Sequence, residues 1–502
     1  MKNFTSNRSV FDLTHEKKLS CDMGSLVPIL TEEVLPGDTF RAKTELLVRL
    51  SPLLAPVYHR INAFTHYFFV PSRLLQTNWE AFITGGVNGT DATAIPTVTS
   101  GAGGKAAGTL WDYFGLPTGV NNFSALAYPF RAYQMIYRDW YMDQTLNTAP
   151  TISFGDGADT TTSLDLRTRC WEKDYFTSAL PWSQRGTAVS LPLGTSAPVS
   201  VDGAATGTGT DKIGLYYKGG TPGYKSMYGA AADVGAYTNA TNASYNMYAD
   251  LSSATAATIN TIRQAFQLQR WLEKNARGGA RYIESVMAHF NGVRPEDYRV
   301  QRPEYLGGGK SPIVVSEVIQ TAPTAAGVTP IGTMAGHAFS AQASHEFTKS
   351  FTEHGYIIGI LSIMPRTAYY QGSPRMFNRT SRLDFYWPEF AHLGEQGILQ
   401  KEIYADGTAN DNGIFGYAPR YEEYRQREST FHGDFRGSLD YWHMGRKFSG
   451  APALNATFVT ADPTKRIHAV TTAHTCWVQV LNSVSAIRPI PRQGTPGMID
   501  HG

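Results

Sequence analysis

The sequence predicts a mainly β protein, an antiparallel sandwich carrying long loop insertions and a few helices. Three observations predict it. Phe40, Ala42, Thr44, Leu46, Val48 and Leu50 alternate with Arg41, Lys43, Glu45 and Arg49, the period-two pattern of a half-buried strand. Further strand signals recur at residues 57–70, 313–319, 356–363, 454–459 and 474–484. Long connections, rather than helices of matching number, separate them, which disfavours a doubly wound parallel sheet.

The elements follow in chain order. Residues 1–21 read as an N-terminal arm with Lys2, Arg8, Lys17 and Lys18, either solvated or bridging subunits. Asp22-Met23-Gly24 and Leu26-Val27-Pro28 lead to Pro36-Gly37-Asp38, a turn that launches the strand 39–50. From 57 to 70 both faces carry large side chains, among them Tyr58, Phe64, Tyr67, Phe68 and Phe69, as in a strand covered on both sides. Residues 85–108 and 197–254 are rich in Gly, Ala, Thr, Ser and Asn and lack a sustained apolar period, so they read as surface excursions. The second also carries Tyr216, Tyr217, Tyr224, Tyr228, Tyr237, Tyr245 and Tyr248; this aromatic content argues against plain disorder and for an adaptable contact surface. Asn260 or Thr261 can then cap a helix with Ile262, Ala265, Phe266, Gln269 and Leu272 on one side and Gly278-Gly279 as its stop. A second short helix, with Ile283, Val286, Met287 and Phe290, ends at Asn291-Gly292, giving a helical pair packed onto the sandwich.

Composition narrows the function classes. Lys+Arg 44 against Asp+Glu 42 leaves a net charge of +2, so nucleic-acid contact must come from a local patch, and a histone-like role is disfavoured. Charged residues are 17% and aromatics 12%, a balance that fits either extensive subunit contact or a large β-rich monomer with a polar uncharged surface. Cys21, Cys170 and Cys476 are too scattered for a disulfide framework and lack zinc-ligand spacing; three free thiols are expected. The N-terminus shows no apolar signal-peptide core and no segment reaches a membrane-spanning length, which points to synthesis in a cytoplasm without membrane insertion.

Catalytic motifs fail on context. Gly309-Lys310-Ser311 resembles the end of a phosphate-binding loop, but the first glycine of that motif falls at Glu304, and Pro312-Ile313-Val314 opens a strand where the motif needs a helix. The histidines are dispersed: His345-Glu346 lacks a second histidine at helical spacing, and His468 and His474 lie six apart. Neither Cys170 nor Cys476 has a nucleophile signature, and no cofactor or metal is expected. Glu422-Glu423 could serve a glycosidase only at a spatial separation that sequence does not reveal. Arg420, Tyr421, Tyr424, Arg425 and Arg427 interleave guanidinium groups with phenol rings, a chemistry suited to phosphates and unpaired bases. Glu422, Glu423 and Glu428 offer those arginines competing partners, within the chain or across an interface. The candidate single-stranded-DNA contacts are therefore Arg420, Tyr424, Arg425 and Arg427, with Lys17 and Lys18 of the arm.

Several blocks together resemble the major capsid protein of gokushovirus-like microviruses. They are residues 22–73, Arg277-Gly278-Gly279 with Arg281-Tyr282, Gln301-Arg302-Pro303-Glu304-Tyr305-Leu306-Gly307-Gly308, Pro419-Arg420-Tyr421 through His432-Gly433-Asp434-Phe435-Arg436 and Trp442-His443, and Gly494-Thr495-Pro496-Gly497. The resemblance implies an eight-stranded antiparallel jelly roll, a viral β-barrel, as one domain over residues 1–502. It further implies a non-enzymatic structural role: a small T=1 icosahedral shell of identical subunits around circular single-stranded DNA, assembled in a bacterial host cytoplasm and residing in the virion. The implied partners are a small basic DNA-packaging protein, a pilot or minor capsid protein, and a host surface receptor. By position and composition, 197–254 is the candidate threefold protrusion for host attachment. A β-rich polysaccharide-acting enzyme and a single-stranded-DNA binding protein are the readings from other classes; neither accounts for the matched blocks.

Overall fold

A computed structural model describes residues 8–88, 90–187, 199–201, 247–249, 259–278, 288–289, 301–319 and 333–492. The chain divides into two compact units, residues 184–277 and the remainder.

In the larger unit the alternating segment forms strand β4 (Thr39–Leu50), the fourth strand, after β1 (Ser9–Asp12), β2 (His15–Cys21) and β3 (Val27–Val34). Every second residue of β4 from Phe40 to Leu50 is buried, as its period requires. β5 (Ile61–Pro71) follows, then the short pair β6 (Thr97–Thr99) and β7 (Ser124–Leu126). Within the smaller unit β8 (Val199–Val201) pairs antiparallel with β9 (Met247–Ala249). The larger unit resumes with β10 (Glu304–Ile319), β11 (Met334–Ser350), β12 (Gly355–Pro365), the pair β13 (Glu395–Leu399) and β14 (Ile414–Pro419), and β15 (Cys476–Arg488).

Nine strands form one antiparallel sheet in the order β1-β15-β4-β11-β10-β5-β12-β3, with β2 also pairing β15. β10 and β11 make the sheet continuous: the end of β10 pairs with the start of β11, while its beginning pairs with β5 and the rest of β11 pairs with β4. The sheet curls upon itself. Leu46, Val48, Val478 and Val480 from one half share a buried cluster with Val27, Ile29, Ile61, Ala63, Leu361 and Ile363 from the other. Phe40, Ala42, Val484 and Ala486 meet Leu30, Tyr67, Phe69 and Ile357 in the same way. Each large side chain so buried contributes about 1.5–3 kcal/mol of transfer free energy, so the closure is driven by the strand faces themselves. Phe68, Val70, Ile358 and Ile360 point the other way, where Trp111 and the helix Tyr128–Ile136 cover them with Phe130 and Tyr133. β5 is thus covered on both faces, as its sequence predicts.

One polar thread crosses the apolar interior. The Tyr67 hydroxyl donates to Thr44 Oγ1, Thr44 donates to Asn482 Oδ1 at 2.9 Å, and Asn482 Nδ2 donates to the Ile29 carbonyl at 2.9 Å. It links β5, β4, β15 and β3, and burial pushes the Tyr67 hydroxyl up to about 12. Cys21, Cys170 and Cys476 are free and buried, and Cys21 faces Cys476 across β2 and β15.

Five expectations are corrected. From Ser9 the N-terminal arm is two strands along the outer side of β15, because its His15-to-Cys21 stretch pairs with Asn482-to-Cys476 in full register. The 57–70 segment becomes strand only at Ile61, and the strand read at 313–319 starts at Glu304. Residues 454–459 are no strand: Asn455 accepts the Phe458 N–H at 2.9 Å and caps a helical turn, Ala456–Val459. In the smaller unit the helix Ile259–Gly278 half-buries Ile262, Ala265, Gln269 and Leu272, but Phe266 is 64% exposed. Almost all of the second helix, 283–290, and nearly all of the 197–254 excursion lie outside the described residues. No helix among the described residues is long and apolar enough to cross a membrane.

Candidate functional site

Past β14 the chain turns sharply at Tyr421, which takes a φ of 64°, a left-handed backbone that a bulky side chain rarely adopts. Its ring anchors the turn. The Tyr421 hydroxyl donates to the Phe385 carbonyl at 3.2 Å and accepts the Trp387 N–H at 3.2 Å, while the Arg420 guanidinium lies 4.7 Å above the ring. The short turn Glu422–Tyr424 follows, leaving Tyr424, Arg425 and Arg427 exposed and Glu422 buried.

The acids that the sequence offers as partners are used unequally. Glu422 accepts from Arg425 Nη1 at 2.8 Å and from Gln426 Nε2 at 2.7 Å. Glu423 turns inward to Gln396 Nε2 at 2.7 Å, with Arg375 at 3.7 Å and Arg379 at 3.8 Å. Glu428 accepts the Tyr175 backbone N–H at 3.0 Å, and burial, reinforced by Asp174, pushes its carboxyl up to about 7. Arg427 has no hydrogen bond or ion pair among the described residues.

Behind this turn lies a cavity of about 490 Å³. Buried Tyr175, Phe176, Tyr369 and Tyr370 form its wall, and exposed Met376, Phe377, Tyr424 and Arg427 border it. Gly372 permits the wall to close: a Cβ there would collide with the Glu402 carbonyl oxygen. Glu402 accepts from Arg375 Nη1 at 2.8 Å, the Tyr175 hydroxyl at 2.9 Å and the Leu399 N–H at 2.9 Å; burial still raises its carboxyl, against the pull of Arg375. Arg379 lies 4.9 Å over the Tyr424 ring and 5.0 Å over that of Phe385.

The candidate contacts therefore separate. Tyr424 and Arg427 share the cavity, Arg425 is engaged by Glu422, and Arg420 is spent on the Tyr421 ring and the Leu383 carbonyl at 3.1 Å. Lys17, in β2, donates to the Tyr113 carbonyl at 3.0 Å and the Pro28 carbonyl at 3.4 Å, and burial lowers its ammonium pKa. Lys18 is exposed beside Glu16 at 3.9 Å. Tyr216, Tyr217, Tyr224, Tyr228, Tyr237 and Tyr245 lie outside the described residues. Sequence reasoning passed over Tyr370, Arg375, Phe377 and Arg379, although Arg375-Met376-Phe377-Asn378-Arg379 interleaves arginine with an aromatic just as 420–427 does.

Gly309-Lys310-Ser311 lies within β10, opposite Thr65, Phe64 and Ala63, so its amides serve the sheet ladder. His468 is bonded to Ser51 at 2.7 Å and His474 to Ser20 at 2.9 Å. Among the described residues no three His, Cys, Asp or Glu side chains gather to hold a metal ion.

Comparison with known proteins covers nearly the whole chain. Residues 1–498 match the family described as Capsid protein (F protein). Capsid protein VP1 of Bdellovibrio phage phiMH2K is 41% identical over 93% of this chain and 90% of its own length. Capsid protein VP1 of Chlamydia phage 1 is 38% identical over 98% and 96%, and that of Spiroplasma virus 4 is 30% identical over 98% and 95%. The chain belongs to this capsid protein family, and its role is that of a structural major capsid protein.

Proposed function

We propose that copies of this chain close into a small T=1 icosahedral shell around circular single-stranded DNA, with the curled sheet acting as an eight-stranded jelly roll and the loops as contact surfaces. The observation that carries this reading is the family match over residues 1–498. Two halves of one antiparallel sheet enclosing a shared apolar core support the barrel, because such a body stays rigid while many weak loop contacts close by symmetry. The exposed arginine and tyrosine side chains at 424–427 support contact with the genome. A small basic packaging protein, a pilot or minor capsid protein and a host surface receptor complete the assembly, which forms in the bacterial cytoplasm.

The excursion 197–254 is the host-attachment protrusion in this reading. The antiparallel β8–β9 pair brings its ends together, so it can be shortened without straining the rest of the chain. Replacing residues 200–252 by a short Gly/Ser link is expected to leave a soluble, cooperatively melting subunit with impaired attachment or threefold contacts. Insoluble or non-cooperative protein would overturn that assignment. The shell itself is tested by negative-stain electron microscopy and size-exclusion chromatography of the full chain, expressed with and without the other genes of its genome. Closed shells of uniform size support the proposal, and a monomer under both conditions refutes it.

A further inference from the structure

The cavity beside Tyr424 contains polar groups that the fold leaves unused. Tyr370 is only 5% exposed, yet its hydroxyl has no hydrogen-bond partner among the described residues. Arg379 is in the same position: its side chain is 13% exposed and its Nε–H is unpartnered, although the far end of the guanidinium approaches Glu423. The Tyr370 hydroxyl interacts with Arg466, Lys447 and Asp440, none of which lines the cavity, so only its ring serves the wall; the Arg379 Nε–H is the unmade donor beside the cavity that a ligand can complete. Both residues line this cavity, and so does the unpaired Arg427 at its exposed border.

The shape and charge of the surroundings define the ligand class. Phe377 is 71% exposed and Tyr424 54%, giving two aromatic faces at the opening on which a flat ring can stack. Glu402 and Glu423 are occupied by Arg375 and Arg379, whereas Arg427 is uncommitted and its nearest acidic neighbour in sequence, Glu428, bonds Tyr175 instead. The site therefore combines stacking surfaces, the unmade Arg379 donor and, among the described residues, two cations without an acidic partner, Arg427 and Arg436, the latter donating to the Phe431 carbonyl. An alkyl chain would leave the Arg379 donor unpaired, and a bare anion would leave the rings unused. About 490 Å³ falls within the range of sites that enclose a small organic ligand.

We propose that this cavity binds one nucleotide, the base held against Phe377, Tyr424 and Tyr370 and the phosphate paired with Arg427. The inference rests on the reading that the chain contacts single-stranded DNA, and it narrows that contact to one extruded base per subunit. The same chemistry would accept a free nucleotide from the host cytoplasm.

The test uses the full chain with short single-stranded oligonucleotides carrying photoreactive thymine analogues, in parallel with deoxynucleoside monophosphates. Crosslinks are expected on peptides carrying Tyr370, Phe377 or Tyr424. Arg427→Ala, at an exposed position with no partner to lose, is expected to weaken oligonucleotide binding about tenfold and to lower the salt dependence by about one phosphate contact. Phe377→Ala removes an exposed stacking face and is expected to weaken binding about tenfold with an unchanged melting temperature. Ser373→Phe, which fills the cavity, should abolish the crosslinks. Oligonucleotides binding far more tightly than monophosphates identify the genome as the source; equal affinities identify free nucleotides. Oligonucleotide binding with crosslinks elsewhere and all three variants unchanged overturns the cavity while leaving DNA contact standing. Failure of every nucleic-acid probe to bind overturns both.

Discussion

Two buried clusters of arginine and carboxylate in this protein use the same chemistry to opposite ends. Asp159, packed beside the helix Tyr128–Ile136, accepts from Arg131 Nε at 2.8 Å, Thr162 Oγ1 at 2.6 Å, Thr162 N at 2.9 Å and Thr161 N at 3.0 Å. Arg131 is fully buried and its remaining nitrogens donate to the Leu75 and Gly155 carbonyls at 2.7 and 2.9 Å. Burial alone would raise the Asp159 carboxyl, but the Thr162 and Arg131 bonds outweigh it and hold the carboxyl below its ordinary value. Around the cavity the balance runs the other way. Glu402 has three donors and Glu428 one backbone N–H, and burial raises both carboxyls. In the first cluster each guanidinium nitrogen and both carboxylate oxygens are engaged, which makes it structural, whereas around the cavity the Arg379 Nε–H is left over.

The largest expected effect tests the saturated cluster. Arg131→Met keeps the stem but strands the Asp159 charge in a dry site, and is expected to cost about 3–5 kcal/mol of stability, seen as a lower melting temperature or insoluble protein. Arg375→Met should cost clearly less, because water in the adjoining cavity can reach Glu402. Equal losses would show that Glu402 is as dry as Asp159.

Next is the polar thread through the sheet core. Thr44→Val removes the group that accepts from Tyr67 and donates to Asn482, leaving the buried Asn482 amide oxygen without that donor, at a cost of about 2 kcal/mol in chemical denaturation. A cost near zero would mean that the two halves of the sheet are held by apolar burial alone.

These differences bear on what the sequence could reveal. Strand β4 was legible to the residue because its period-two pattern is local and its buried face unbroken. β2 was not, since His15-Glu16-Lys17-Lys18 resembles a charged arm; only β15 supplies the ladder, and only Pro28 and Tyr113 supply the carbonyls that receive the Lys17 ammonium. At 454–459 the apolar residues suggested a strand, but the Asn455 side chain caps the Phe458 N–H and the cap decided the local structure. The Arg/Tyr segment 420–427 was visible as chemistry. Its cavity was not, because the walls come from residues 175–176, 369–379 and 423–436, which only tertiary packing assembles.

A smaller, pH-dependent effect tests the cavity side. Glu428 is held at about 7 in the folded chain against an ordinary 4.5, so between those values the folded state carries a proton that the unfolded state has released. Stability must then fall as pH rises from about 4.5 to about 7, by at most about 1 kcal/mol per pH unit once partial solvent access is allowed for. Glu428→Gln is expected to remove that slope and to melt above the parent chain at pH values beyond 7. Parallel melting curves for the two proteins across this range would show that Glu428 is as well solvated as an ordinary surface acid.

The smallest stability effect, and the most direct division between structure and binding, belongs to Arg425 and Arg427. The Arg425 side chain is 55% accessible and buried Glu422 keeps Gln426 as a donor, while Arg427 has no hydrogen bond or ion pair among the described residues, so Arg425→Ala with Arg427→Ala should change the melting temperature little. If the leftover valences of this region serve nucleic acid, the double variant still forms shells, but these carry less DNA, measured as the absorbance ratio and nuclease-protected content of purified particles. Unchanged genome content would assign both arginines to the protein surface alone. Failure to form any shell would assign them to contacts between subunits, since a subunit of unaltered stability loses assembly only through the faces it presents to its neighbours.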